Sequence, residues 1–268
     1  MQRDKVVDNY VNYITAAKKA EETFGRTPLY KFFDPKINEL LGGGLAKPNA
    51  TNIILVYGGT GVGKTLLTLN ILASAIREKK RFGHILLEDD VEEIYNRFKR
   101  IVDKPSDIFK QYHALLGPEK TKEQFTQQEA LNYLEWWYRD LGIDIIVLDH
   151  IQFMFESSAD GSQDNEWIRQ RKFVQEINAL VKKYKRTLVL VSHVKKGADM
   201  SLDSTTGSNA IPQVATKTLA IYRNATGQLC LKQDKTRYTK PYFDEIPIRF
   251  DNRFRLQYDD GSRQEETN

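Results

Sequence analysis

Between residues 52 and 192 the chain alternates short apolar runs with longer amphipathic ones. The runs at 52–57, 84–88, 144–149 and 187–192 are rich in Ile, Leu and Val and predict strands. The last two, IDIIVLD and TLVLVS, are apolar without alternation, which requires burial on both faces. The stretches between them, 63–78, 90–103, 124–141 and 165–184, carry helical periodicity. In 124–141, Leu131, Leu134, Trp137 and Leu141 share one face, and both Trp136 and Trp137 are assigned to the core rather than to a ligand platform. Buried strands among helices predict an α/β fold, a mainly parallel sheet covered on both sides. After residue 216 the pattern becomes strand–turn–strand at 217–222, 228–233, 246–250 and 254–256. Turns containing Asn224, Gly227, Asp251 and Asn252 suit an antiparallel edge on that sheet.

Three divisions follow. Residues 1–25 form a linker or oligomerisation segment in which Val7, Tyr10, Val11, Ile14 and Ala17 line one helical face. That helix packs either on its own domain or on a neighbouring subunit. Residues 26–258 form the main domain, and the polar residues 259–268 are expected to be a disordered tail. No apolar run approaches the roughly 18 residues of a membrane span, and Met1 leads into Gln-Arg-Asp-Lys rather than into a signal peptide. The single cysteine, Cys230, excludes a disulfide framework and a Cys-rich zinc site. A reducing compartment is expected, the cytoplasm or an organelle matrix. The net charge of +4 is compatible with nucleic acid but does not select it.

The strongest chemical signal is Gly58-Gly59-Thr60-Gly61-Val62-Gly63-Lys64-Thr65, which fits G-x-x-x-x-G-K-[ST] between a strand and a helix. Glycines there let successive N–H groups face an anion, and the helix start adds partial positive charge. Lys64 is expected on the β- and γ-phosphates of ATP or a deoxynucleotide, and Thr65 on Mg²⁺. Asp149 closes an apolar strand at the sheet's C-terminal edge, where a carboxylate would hold that Mg²⁺. The next position is His150, so a water-orienting group must come from elsewhere. Glu88 ends the second strand on the same edge and offers that role, or it is a helix-start acid. Asp89 and Asp90 are expected to cap the following helix.

Glu88, Asp149-His150 and Ser192-His193, with the segments LLEDDVEEIYNRFK, DIIVLDHI, LVLVSHVKK, GSNAIPQVATKTLAIYRN and KTRYT, make a set that resembles the ATPase domain of DnaB-type replicative helicases. That domain has a RecA-like fold, and the likeness is to the branch of phage primase-helicases and the mitochondrial replicative helicase. It runs from about residue 26 to 257. The resemblance implies that Glu88 is the catalytic carboxylate and that His193 senses the γ-phosphate; the plain alternative for His193 is a satisfied strand-end histidine. Gln213 would be a second sensor, although Pro212 beside it departs from the pattern. Lys235 and Arg237 would enter the active site of the next subunit in a ring, expected to be a hexamer; Arg suits that task because its planar fork matches phosphate oxygens. Arg223 and Phe250 match positions flanking the nucleotide base, with Phe250 equally suited to the core.

In that family, loops here at about 154–165 and 194–206 face the central channel. Lys195 and Lys196 would hold a single strand of DNA by its backbone, without sequence preference. The implied function is an ATP-dependent, ring-forming DNA helicase motor acting in replication, with single-stranded DNA, copies of itself and a primase or loader as partners, and no membrane. A RecA-like recombinase or mediator and a nucleotide-switched loading subunit are the alternatives. Only about 25 residues precede the motor, where family members carry a collar or primase domain.

Overall fold

The computed structural model of the chain describes residues 27–87, 89–116, 126–152, 163–194, 210–237 and 245–261, with the side chains of 109–116 and 163–167 outside that description. Nine strands form one sheet in the order β3-β2-β4-β5-β1-β6-β7-β8-β9. They are β1 Asn52–Gly58, β2 Phe82–Leu86, β3 Tyr112–Leu116, β4 Ile145–Asp149, β5 Thr187–His193, β6 Lys217–Arg223, β7 Leu229–Lys232, β8 Ile246–Phe250 and β9 Leu256–Tyr258. The first six pair in parallel and the last three add antiparallel. This is the RecA-like α/β arrangement that the apolar runs predict. Strand β1 lies between β5 and β6, and every one of its seven residues is buried.

Alternation along the strands divides the core in two. Ile54, Val56, Val147, Val189 and Val191 face one cluster, which includes the helices α2 (Lys64–Arg77) and α3 (Val91–Ile101). Ile53, Leu55, Tyr57, Leu148 and Leu190 face the other, covered by α5 (Gln127–Arg139), α6 (Gln163–Tyr184) and the short α7 (Ala210–Val214). The helix starts are set locally. Thr126 and Glu129 form a capping box on α5, and Asp90 accepts from Glu92 N at 2.7 Å to cap α3.

Some elements lack a sequence signature. Helices α1 (Pro35–Leu40) and α4 (Ser106–Gln111) and the edge strand β3 are additional to the predicted set. Helix α6 starts at Gln163, so the end of the expected 154–165 loop is helical. The tryptophans part company: Trp137 is 2% exposed in the core, whereas Trp136 is 45% exposed. The expected 4–24 helix and most of the polar tail lie outside the described residues, as do Glu88, Lys195 and Lys196. No helix among the described residues is long and apolar enough to cross a membrane.

Candidate active site

The carboxyl ends of β1, β4 and β5 converge on a cavity of about 470 Å³ whose floor is the glycine loop. Two of its glycines are obligatory for different reasons. Gly63 has φ +104°, which L side chains rarely adopt. Gly58 is buried against β6, where a Cβ would stand 2.2 Å from Ile221 O. Gly63 is the N-cap of α2, and no side chain caps that helix. Its first N–H groups therefore point toward the cavity as donors for an anion.

Lys64 is only 7% exposed. Its Nζ donates to Gly59 O at 2.7 Å and lies 3.1 Å from His193 Nδ1. His193 is brought there by β5 register, since it pairs with Gly58, and Val194 N donates to Gly58 O at 3.3 Å. The ring of His150 meets that of His193 edge-on, with centroids 4.3 Å apart. Below them Gln152 Nε2 donates to Ser192 Oγ at 2.7 Å, and Ser192 Oγ donates to His193 O at 3.2 Å. The strand that ends in Asp149 and the strand that ends in His193 are thus joined by polar contacts directly behind the cavity.

Asp149 lines the cavity and is 6% exposed. Opposite it Thr65 Oγ1 donates to Asp89 Oδ2 at 3.3 Å. Asp89 does not share the capping task expected of it; Asp90 alone accepts from the start of α3. Thr65 and Asp149 offer hard oxygen donors suited to Mg²⁺, which takes one or two carboxylates plus the substrate's phosphates, and Asp89 stands against the Thr65 hydroxyl. Among the described residues no group of three or more His, Cys, Asp or Glu forms a self-sufficient metal site. The protein side of the site is incomplete without a phosphate-bearing ligand.

Two further lining residues have no motif. Arg97, from α3, faces the cavity and pairs with Glu93 one turn earlier. Phe254, from the β8–β9 turn, lines the side near Leu66 and holds φ +61°, an outlier for a bulky residue. The turn is over-determined. Asp251 Oδ1 accepts from Arg253 N and Arg255 N, both at 2.8 Å, and Asn70 Nδ2 donates to Phe254 O at 2.8 Å. The Arg100 guanidinium lies 4.0 Å from the Phe254 ring centroid and covers one face of it. Strain of this sort persists where surrounding contacts enforce it, and it gathers at ligand clamps.

The expected base-flanking pair is elsewhere. Arg223 is exposed and donates from Nη1 to Gly227 O at 2.9 Å. Phe250 packs beneath the loop, its Cε2 2.9 Å from where a Gly63 Cβ would stand, and joins the core. Neither lines the cavity. Gln213 is exposed on α7 and also stands apart from it.

Lys235 and Arg237 meet at the carbonyl end of α7. Lys235 Nζ donates to Pro212 O at 2.7 Å and to Gln213 O at 3.1 Å, and Arg237 Nη2 donates to Gln213 O at 2.9 Å. Burial lowers the Lys235 pKa, and the neighbouring Arg237 charge lowers it further. Neither side chain reaches the cavity of its own chain.

Residues 28–199 match the AAA domain family. No curated protein matches the chain. Among solved structures the fold is similar to a KaiC-like protein from the hyperthermophilic archaeon Pyrococcus horikoshii OT3, with a TM-score of 0.65 and 15% identity over 85% of this chain and 97% of that one.

Proposed function

The chain belongs to the AAA domain family as a RecA-like P-loop ATPase, and from that premise we propose that it is the motor of a ring-forming DNA helicase. One observation supports the step from ATPase to ring. The cradle, the carboxylates and His193 share one cavity, while Lys235 and Arg237 lie against α7, outside it. In this reading these cations serve the site of an adjacent protomer, and a closed ring gives every site such a neighbour.

In this reading Lys64 leaves Gly59 O and His193 for the β- and γ-phosphates, and the N–H groups of the loop hold the remaining oxygens. Thr65 and Asp149 would hold Mg²⁺, which when bound would supply charge to offset that of the phosphates. Glu88 orients the attacking water. Lys235 and Arg237 of the next subunit neutralise charge that develops between the phosphates. Arg97 and Phe254, which line the cavity, hold the base. Release of Lys64 frees His193 to move, and the segment after it carries Lys195 and Lys196. Those lysines grip the backbone of one DNA strand, so that sequential hydrolysis draws the strand through the ring. Residues 1–25 link subunits, and a primase or loader is a partner of the motor.

Unwinding of a tailed duplex tests this. ATP-dependent strand separation by the parent chain and none by Lys64→Ala is the expected result. Unwinding that survives Lys64→Ala, or vigorous hydrolysis indifferent to single-stranded DNA with no unwinding, overturns it.

A further inference from the structure

We infer that Asp89 is a positioning residue for the divalent cation, acting through the hydroxyl of Thr65; the inference rests on the nucleotide-hydrolysing reading above. A hydroxyl has one proton and two lone pairs, so its use as a metal ligand depends on where the proton points. Here Thr65 Oγ1 donates that proton to Asp89 Oδ2 at 3.3 Å, which leaves its lone pairs available to the cavity. Both residues line the same cavity as Asp149. Outer partners of this type fix the orientation of a metal's direct ligands and raise their basicity.

The division of labour between the adjacent acids supports the assignment. Asp90 satisfies the start of α3 through Glu92 N at 2.7 Å, so Asp89 is not needed there. Charge supports it too. A triphosphate entering a cavity that contains Asp89 and Asp149 meets two carboxylates, a repulsion that a cation between them and the phosphates converts into attraction. Asp89 should therefore weaken nucleotide binding when metal is absent and strengthen metal binding when nucleotide is present.

Binding of ADP, with and without Mn²⁺ and with free Mn²⁺ followed by its spin resonance, separates these effects in the full chain. Asp89→Asn and Asp89→Ala should bind Mn²⁺ in the ADP complex roughly 10- to 100-fold more weakly, while metal-free ADP affinity stays level or rises. Asp89→Glu should recover part of the loss. Asp90→Ala, which removes the cap alone, should lower the melting temperature and leave Mn²⁺ affinity intact. Unaltered Mn²⁺ affinity in both Asp89→Asn and Asp89→Ala overturns the role of Asp89 while leaving the nucleotide site in place. Failure of the parent chain to bind ADP, or ADP affinity indifferent to Lys64→Ala, overturns the nucleotide reading and this inference with it.

Discussion

Lys64 Nζ lies 3.1 Å from His193 Nδ1, so the lysine of the glycine loop and the residue that ends β5 are in direct contact. With Lys64 Nζ as the donor, Nδ1 offers its lone pair to the contact. A γ-phosphate that draws Lys64 away leaves His193 to find a new partner. His193→Ala should therefore reduce turnover about 100-fold or more, as loss of a group aimed at developing charge does. ADP affinity should fall much less. Steady-state hydrolysis beside calorimetric ADP binding checks this, and equal losses in both would contradict it.

Phe254 should matter for affinity rather than for turnover. Stacking of a base on an aromatic ring contributes about 1–3 kcal/mol, so Phe254→Ala is expected to weaken ATP roughly 5- to 150-fold. Arg223→Ala should have no such effect, because its Nη1 is held by Gly227 O outside the cavity. Titration of a fluorescent ATP analogue against the two variants distinguishes them.

Stability should fall in mild acid. His84 is 1% exposed in the middle of β2, its Nε2 has no hydrogen-bond partner among the described residues, and burial pushes its pKa down to about 3. Above its usual value of 6.5 both folded and unfolded states are neutral, and no penalty applies. Between 6.5 and about 3 the unfolded chain takes the extra proton, so folding weakens by up to about 1.4 kcal/mol per pH unit. Urea midpoints measured from pH 7 to 4 should decline, and His84→Leu should flatten that decline.

Lys217 sets a second window on the alkaline side. It is 3% exposed, its Nζ donates to Leu41 O at 3.0 Å and Gly44 O at 2.9 Å, and burial lowers its pKa from 10.5 to about 7. Across that interval the unfolded state holds a proton that the folded state has lost, so stability rises with pH by up to about 1.4 kcal/mol per unit. Below about 7 both states are charged and the slope vanishes. Lys217→Met should remove the slope, which chemical denaturation at pH 7, 8 and 9 measures.

The parallel core was legible because β1, β4 and β5 are apolar on both faces, and no amphipathic helix shows such a pattern. The phosphate loop was legible because its glycines, Lys64 and Thr65 are contiguous, with Gly63 answering to a local backbone demand. The rest of the cavity wall was not. Arg97 reads in sequence as half of an i,i+4 surface pair with Glu93, and Phe254 as a turn aromatic. Phe254 reaches the cavity because Asn70 on α2 brackets the β8–β9 turn through Phe254 O and Leu256 N, a contact spanning more than 180 positions. Asp89 and Asp90 are equivalent in sequence, and only the exit angle of the chain from β2 into α3 assigns one to the cap and the other to Thr65. Helix α7 carries Pro212 in its first turn, where a missing N–H removes no intrahelical bond.

The account depends most on an active site shared between protomers, and mixing two inactive variants tests that directly. Lys64→Ala loses the cradle cation and Arg237→Ala loses the cation lent to a neighbour, each expected to lower hydrolysis by roughly 10³-fold or more. In mixed rings some interfaces pair an intact Lys64 with an intact Arg237, so ATP hydrolysis should return to a clear fraction of the parent rate as the two are combined. A mixture no more active than either variant alone, or an Arg237→Ala protein that hydrolyses ATP at the parent rate, would contradict the account.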